Sequence, residues 1–112
     1  MDSNVLRHKA ICDELTALYE RKNADYGDSF HISYQDEGMA MARIRLGDKL
    51  NRFKTLTRNS GVCMVNDESI RDTLIDLANY AIMTIIEIDR TSSESKFGVH
   101  YSRNDAFDDD LK

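Results

Sequence analysis

The chain has 112 residues, 41% of them hydrophobic, which is enough for one compact core and too little for two ordinary domains. A formal net charge of −5 argues against general attraction to the DNA or RNA backbone, which rewards surplus positive charge, so nucleic acid is not an expected partner. No N-terminal apolar run suggests a signal peptide and no stretch has the uninterrupted apolar length of a membrane span, so a soluble, cytoplasmic protein without membrane partners is expected. Cys12 and Cys63 lack metal-type spacing and make no disulfide framework; they read as reduced thiols, with Cys12 in the core.

The absence of proline and the abundance of good helix formers predict an all-α fold, a small bundle of three to four helices with a polar C-terminal tail. The first helix is expected over about Ser3 to Arg21, capped by Ser3 or Asn4, with Ala10 or Ile11, Leu15 and Leu18 at helical spacing. The stretch KNADYGDSF, Lys22 to Phe30, then opens an irregular connection that continues to about Gly38. A second helix over Met39 to Arg58 aligns Ala42, Leu46, Leu50 and Phe53 on one side, and Asn59-Ser60-Gly61 supplies its stop. The third, about Asp67 to Asp89, opens on Asn66 or Asp67 as cap. It carries Ile70, Leu74, Leu77, Ala81 and Ile85 on one broad apolar side, widened by Ile75, Ile82 and Ile86, and belongs in the middle of a bundle. Residues 1–90 therefore form the helical domain, and 91–112 a polar tail or an arm that docks on another subunit.

Chemistry-bearing residues concentrate in three places. On the third helix Glu68, Asp72 and Asp76 recur every four residues and Asn79 follows, so all four project along one stripe. Such a stripe is either a solvated face or a set of oxygen ligands for Mg²⁺ or Mn²⁺, to which Asp48 of the second helix can add a carboxylate. The second helix has six basic residues and one acid, Asp48. Arg43, Lys49 and Arg52 either pair with the acids of helix three across the bundle surface or grip phosphate. In KNADYGDSF, Tyr26 and Phe30 offer faces for a base, Asn23 and Ser29 offer donors and acceptors, and Lys22 offers a charge. The alternative is a packed loop in which the aromatics fill the bundle end and Asp25 or Asp28 caps a turn.

Taken together, KNADYGDSF, RIRLGDKLNRFKTL (Arg43 to Leu56) and ESIRDTLIDLANYAIM (Glu68 to Met83) resemble the phage and prophage family called the nucleotide modification associated domain, first type. The set DYG-x-SF, DK-x-x-R and D-x-x-x-D-L-A-x-Y-A carries the resemblance, which leaves out the first helix and the tail. That family looks like a relative of the all-α NTP pyrophosphatases of the MazG and dimeric dUTPase group. In those enzymes a helix bundle, dimeric or larger, holds Mg²⁺ through carboxylates and a metal-activated water attacks between the α- and β-phosphates. The resemblance puts Glu68, Asp72 and Asp76 in the place of the pyrophosphatases' acidic motif on the later helix, with Asp48 the fourth carboxylate that side-by-side packing of the two helices would add. It further implies nucleotide contacts from Lys22, Asn23, Asp25, Tyr26, Ser29, Phe30, Arg43, Lys49, Arg52 and Asn79, and a homo-oligomer in the host cytoplasm.

The chain departs from the pyrophosphatases in one respect: their EE-x-x-E cluster is missing from the helix before the acidic stripe, where Asp48 is the only acid. A Mg²⁺-dependent (d)NTP pyrophosphohydrolase is thus one expectation. A binding protein that sequesters a nucleotide or nucleotide signal without cleaving it is the alternative. A helical protein-interaction module is a third.

Overall fold

The computed structural model describes residues 2–26, 28–58 and 67–95, and among these there is no strand. Four helices follow in chain order: α1 (Ser3–Tyr26), α2 (Ser29–Glu37), α3 (Met39–Arg58) and α4 (Asp67–Ser95). The fold is a small all-α bundle. Asn59-Ser60-Gly61, Cys63, Asn66, His100 and 96–112 lie outside the described residues.

The cap of α1 is Asp2, one or two residues before the expected position: the Asn4 backbone N–H donates to Asp2 Oδ1 at 2.8 Å. The helix also runs five residues past Arg21, because Asn23 and Asp25 are poor helix formers but not breakers, and no proline intervenes. The larger correction concerns 29–37. The expected irregular connection is a nine-residue helix, α2. It escapes a periodicity reading because none of its residues is buried and its apolar residues trace no helical stripe. Gly38 ends it at φ 69° and ψ −153°, donating its N–H to Tyr34 O at 2.7 Å, and α3 starts at the next residue. At the other end of the chain, α4 extends to Ser95, so the first five residues of the expected tail are helical.

Each of the other three helices packs on α4, and α3 makes the largest interface with it. The buried apolar residues are Leu15, Met41, Ala42 and Ile75. Ala42 is completely enclosed, where its small side chain lets helices approach closely. The broad apolar side expected of α4 is only partly used inside the chain: Leu74, Ile82 and Ile85 keep 43%, 43% and 50% of their surface exposed. In their stead α4 buries Thr73, Asn79, Thr84 and Glu87. The threonine hydroxyls are satisfied within the helix, Thr73 donating to Ser69 O and Thr84 to Tyr80 O. Cys12 is exposed rather than core, with its Sγ 3.7 Å from His8 Nδ1 one turn away.

Hydrogen bonds at two places tie α1 to α4, besides an ion pair described below. Asn79 donates from Nδ2 to Leu15 O at 3.2 Å, and Arg71 makes a two-pronged pair with Glu14, both contacts 2.7 Å. No helix among the described residues is long and apolar enough to cross a membrane.

Candidate functional site

Where the last turns of α1 face the middle of α4, with the start of α2 closing one side, there is a cavity of about 230 Å³. Helical spacing places its lining. Leu18, Tyr19, Lys22 and Asn23 repeat along one side of α1, and Asp76, Asn79, Tyr80 and Met83 along one side of α4. Asp28, Ser29 and Phe30 complete it. The first turn of α2 lays the Phe30 ring beside Tyr80, centroids 5.9 Å apart and planes inclined by 39°.

Charge is organised around Asp76. Its Oδ1 lies 3.6 Å from Lys22 Nζ of α1 and its Oδ2 3.5 Å from Lys49 Nζ of α3, so one carboxylate joins three helices at the cavity edge. Lys49 also stands 6.0 Å over the Tyr80 ring, a cation above an aromatic face. Asn79 is held by Leu15 O through its Nδ2, which fixes the orientation of its amide in the wall.

A second polar group supports the α2 wall. His31 Nδ1 lies 2.8 Å from Glu87 Oε1 and 2.6 Å from Arg90 Nη1, while Arg90 Nη1 is 3.3 Å from Glu87 Oε2. A protonated Nδ1 donates to the carboxylate, whereas an unprotonated one accepts from the guanidinium, so the proton on this nitrogen selects which α4 residue holds α2. Glu87 is buried, and a hollow beside the main cavity is lined by Tyr19, Asp28, Phe30, Met83, Glu87 and Arg90 among others.

Of the residues singled out from the sequence, Lys22, Asn23, Ser29, Phe30, Asp76 and Asn79 line the cavity and Lys49 stands at its edge. Arg43, Asp48, Arg52 and Asp72 are exposed and contribute nothing to its lining. The side chains of Asp25, Tyr26 and Glu68 lie outside the described residues. Tyr19, Tyr80 and Met83 were missed, although Tyr80 stands one turn beyond Asp76 in the D-x-x-x-D-L-A-x-Y-A stretch and its spacing marks the same side of the helix.

The same geometry bears on Mg²⁺. A divalent cation needs several convergent oxygens, and the described residues form no group of three or more His, Cys, Asp or Glu side chains able to hold a metal ion. Asp76 has an ammonium at each oxygen, and Asp48 and Asp72 are exposed and not among the lining residues.

One electrostatic feature lies outside the cavity. The hydrogen bonds from Arg71, aided by its charge, hold the Glu14 carboxyl below its ordinary value against an opposing effect of desolvation, and the Arg71 guanidinium is pushed up in return.

A sequence model of the family described as nucleotide modification associated domain 1 matches residues 22–88. No curated protein and no solved structure matches the chain. The matched span covers the end of α1 and all of α2 and α3, and takes in every described residue of the cavity lining except Leu18 and Tyr19.

Proposed function

This chain belongs to the nucleotide modification associated domain 1 family, and on that premise we propose that it binds a nucleotide or nucleotide-derived small molecule in the cavity between α1, α2 and α4. One observation carries the reading: the aromatic pair Phe30 and Tyr80 lines the same cavity as Asp76, the carboxylate on which the two lysines Lys22 and Lys49 converge at its edge. A base has ring faces to lie against, the amides of Asn23 and Asn79 are within the same wall for its edge or sugar, and the lysines supply positive charge for phosphate. A purely protein-binding role leaves this combination without a purpose.

Binding without turnover is the preferred form. Pyrophosphohydrolysis to a nucleoside monophosphate and pyrophosphate, the reaction of the MazG-like enzymes to which the family looks related, draws on several carboxylates for metal and general base. Of the three expected metal ligands whose side chains are described, Asp48, Asp72 and Asp76, the last alone is among the lining residues, and it is already paired. Self-association belongs to the same proposal, supported by the apolar residues of α4 that this chain does not bury.

A thermal-shift screen of the purified protein against nucleoside mono- and triphosphates, dNTPs and modified dNTPs, with and without Mg²⁺, tests the reading. A ligand at a hundred times its Kd is expected to stabilise by about 2.7 kcal/mol and to be released intact on denaturation. Release of monophosphate and pyrophosphate from a triphosphate would replace binding by hydrolysis. Stability indifferent to every nucleotide would overturn both.

A further inference from the structure

We propose that Asp76 is the resident counter-ion of a phosphate clamp made by Lys22 and Lys49, and that a nucleoside monophosphate displaces it on binding. The inference rests on the nucleotide-binding reading above and specifies both the ligand and how the site is held ready for it. Lys22 comes from α1 and Lys49 from α3, and each reaches a different oxygen of one carboxylate, at 3.6 and 3.5 Å. Those are ion-pair distances outside the range of good hydrogen bonds, so the pairing is electrostatic and loose. Asp76 retains about a quarter of its side-chain exposure, 27%, which gives it an open side to turn to. A phosphomonoester carries nearly twice the carboxylate's charge and three strong acceptor oxygens. It therefore outcompetes Asp76 for the two ammoniums.

The same geometry limits the ligand to one phosphate and one base. The clamp spans a single carboxylate, the footprint of one phosphate, and Arg43 and Arg52 are exposed and not among the residues that line the cavity. Arg90 is engaged with Glu87 and His31. The cavity, about 230 Å³, falls below the roughly 300–1,000 Å³ that encloses a drug-sized ligand, so it accommodates one nucleoside and not a dinucleotide.

The test is calorimetric titration with a nucleoside monophosphate series, the matching nucleosides and the matching triphosphates, in EDTA and again with Mg²⁺, on the wild type and on Asp76→Asn. Asp76→Ala serves as a second variant, and circular dichroism confirms that each is folded. Removing the internal competitor is expected to raise monophosphate affinity on the order of tenfold more than nucleoside affinity, while Lys49→Gln lowers it. Monophosphate affinity that is unchanged or weakened in both Asp76 variants overturns the inference while leaving nucleotide binding intact. So does a wild type that prefers triphosphates, or one that binds nucleotide only with Mg²⁺ and loses that binding in Asp76→Asn. If neither nucleosides nor nucleotides bind the wild type under any condition, the nucleotide reading fails and the inference with it.

Discussion

Lys49 of α3 is held by two residues of α4 one helical turn apart: its Nζ stands 6.0 Å over the ring of Tyr80 and 3.5 Å from Asp76. The ring thereby does two things, steadying a cation at the cavity edge and presenting a face to the interior beside Phe30.

Tyr80→Ala is therefore expected to weaken nucleotide binding by about 1–3 kcal/mol, the range for a base that stacks on an aromatic side chain. Tyr80→Phe keeps the ring and should retain most of the affinity. Titrations of the two variants side by side check this; equal losses would assign the effect to the hydroxyl instead of the ring.

Removing Arg90 leaves the buried Glu87 carboxylate with His31 alone. Arg90→Ala is expected to destabilise the fold by about 1–3 kcal/mol, as for a buried polar group that loses a charged partner. Because the same cluster anchors the wall that carries Phe30, ligand affinity should fall as well. Urea unfolding together with a binding titration on the same variant separates the two effects.

Two glycines should respond in opposite directions to alanine. Gly38 has φ 69° and ψ −153°, a backbone region nearly confined to glycine, and a Cβ there would meet nothing, so the cost is conformational only. Gly38→Ala is expected to destabilise by about 1–3 kcal/mol. Gly47 sits inside α3 with open space around a built Cβ, and Gly47→Ala should stabilise by about 0.5–1 kcal/mol. Thermal unfolding of the pair decides both signs.

The Glu14–Arg71 pair gives a pH signature. Since the Glu14 carboxyl titrates below its ordinary range in the folded chain, its contribution is present in full above that range and is lost as pH falls through the lowered value. Glu14→Gln should thus be less stable than the wild type at neutral pH, with the gap closing in acid. Denaturant midpoints across an acid series measure it; a gap that persists in strong acid would show that lost packing, not charge, is responsible.

On α4, Leu74, Ile82 and Ile85 are exposed, and with Ala78 they step by four, four and three residues along one stripe. We expect this stripe to meet a second copy of the chain, giving a concentration-dependent oligomer in sedimentation velocity. The double change Ile82→Glu and Ile85→Glu should yield a monomer, and a monomeric wild type at high concentration would contradict the expectation.

Much of this architecture can be read without coordinates, and the parts that cannot have physical reasons. The bounds of α3 are legible because a run of helix formers is followed by Asn59-Ser60-Gly61, and the placing of α4 among the other helices because its apolar residues spread over more than one side. Helix α2 is invisible to periodicity, since its place depends on Phe30 meeting Tyr80 and His31 meeting Glu87, 50 and 56 residues away in sequence. Pairing of Lys49 with an acid of α4 is one of the two readings its spacing allows, but that the acid is Asp76, and that Lys22 of α1 joins it, comes from the fold. Charge spacing along one helix says nothing about what a neighbouring helix brings.

Whether the cavity is where nucleotide binds is most directly settled by amide chemical-shift mapping of the ¹⁵N-labelled protein during titration with a nucleoside monophosphate. The largest changes are expected at Lys22, Asn23, Ser29, Phe30, Asp76, Asn79 and Tyr80. Changes concentrated instead around Arg43, Asp48 and Arg52 on the exposed side of α3, with the cavity residues unmoved, would contradict the assignment.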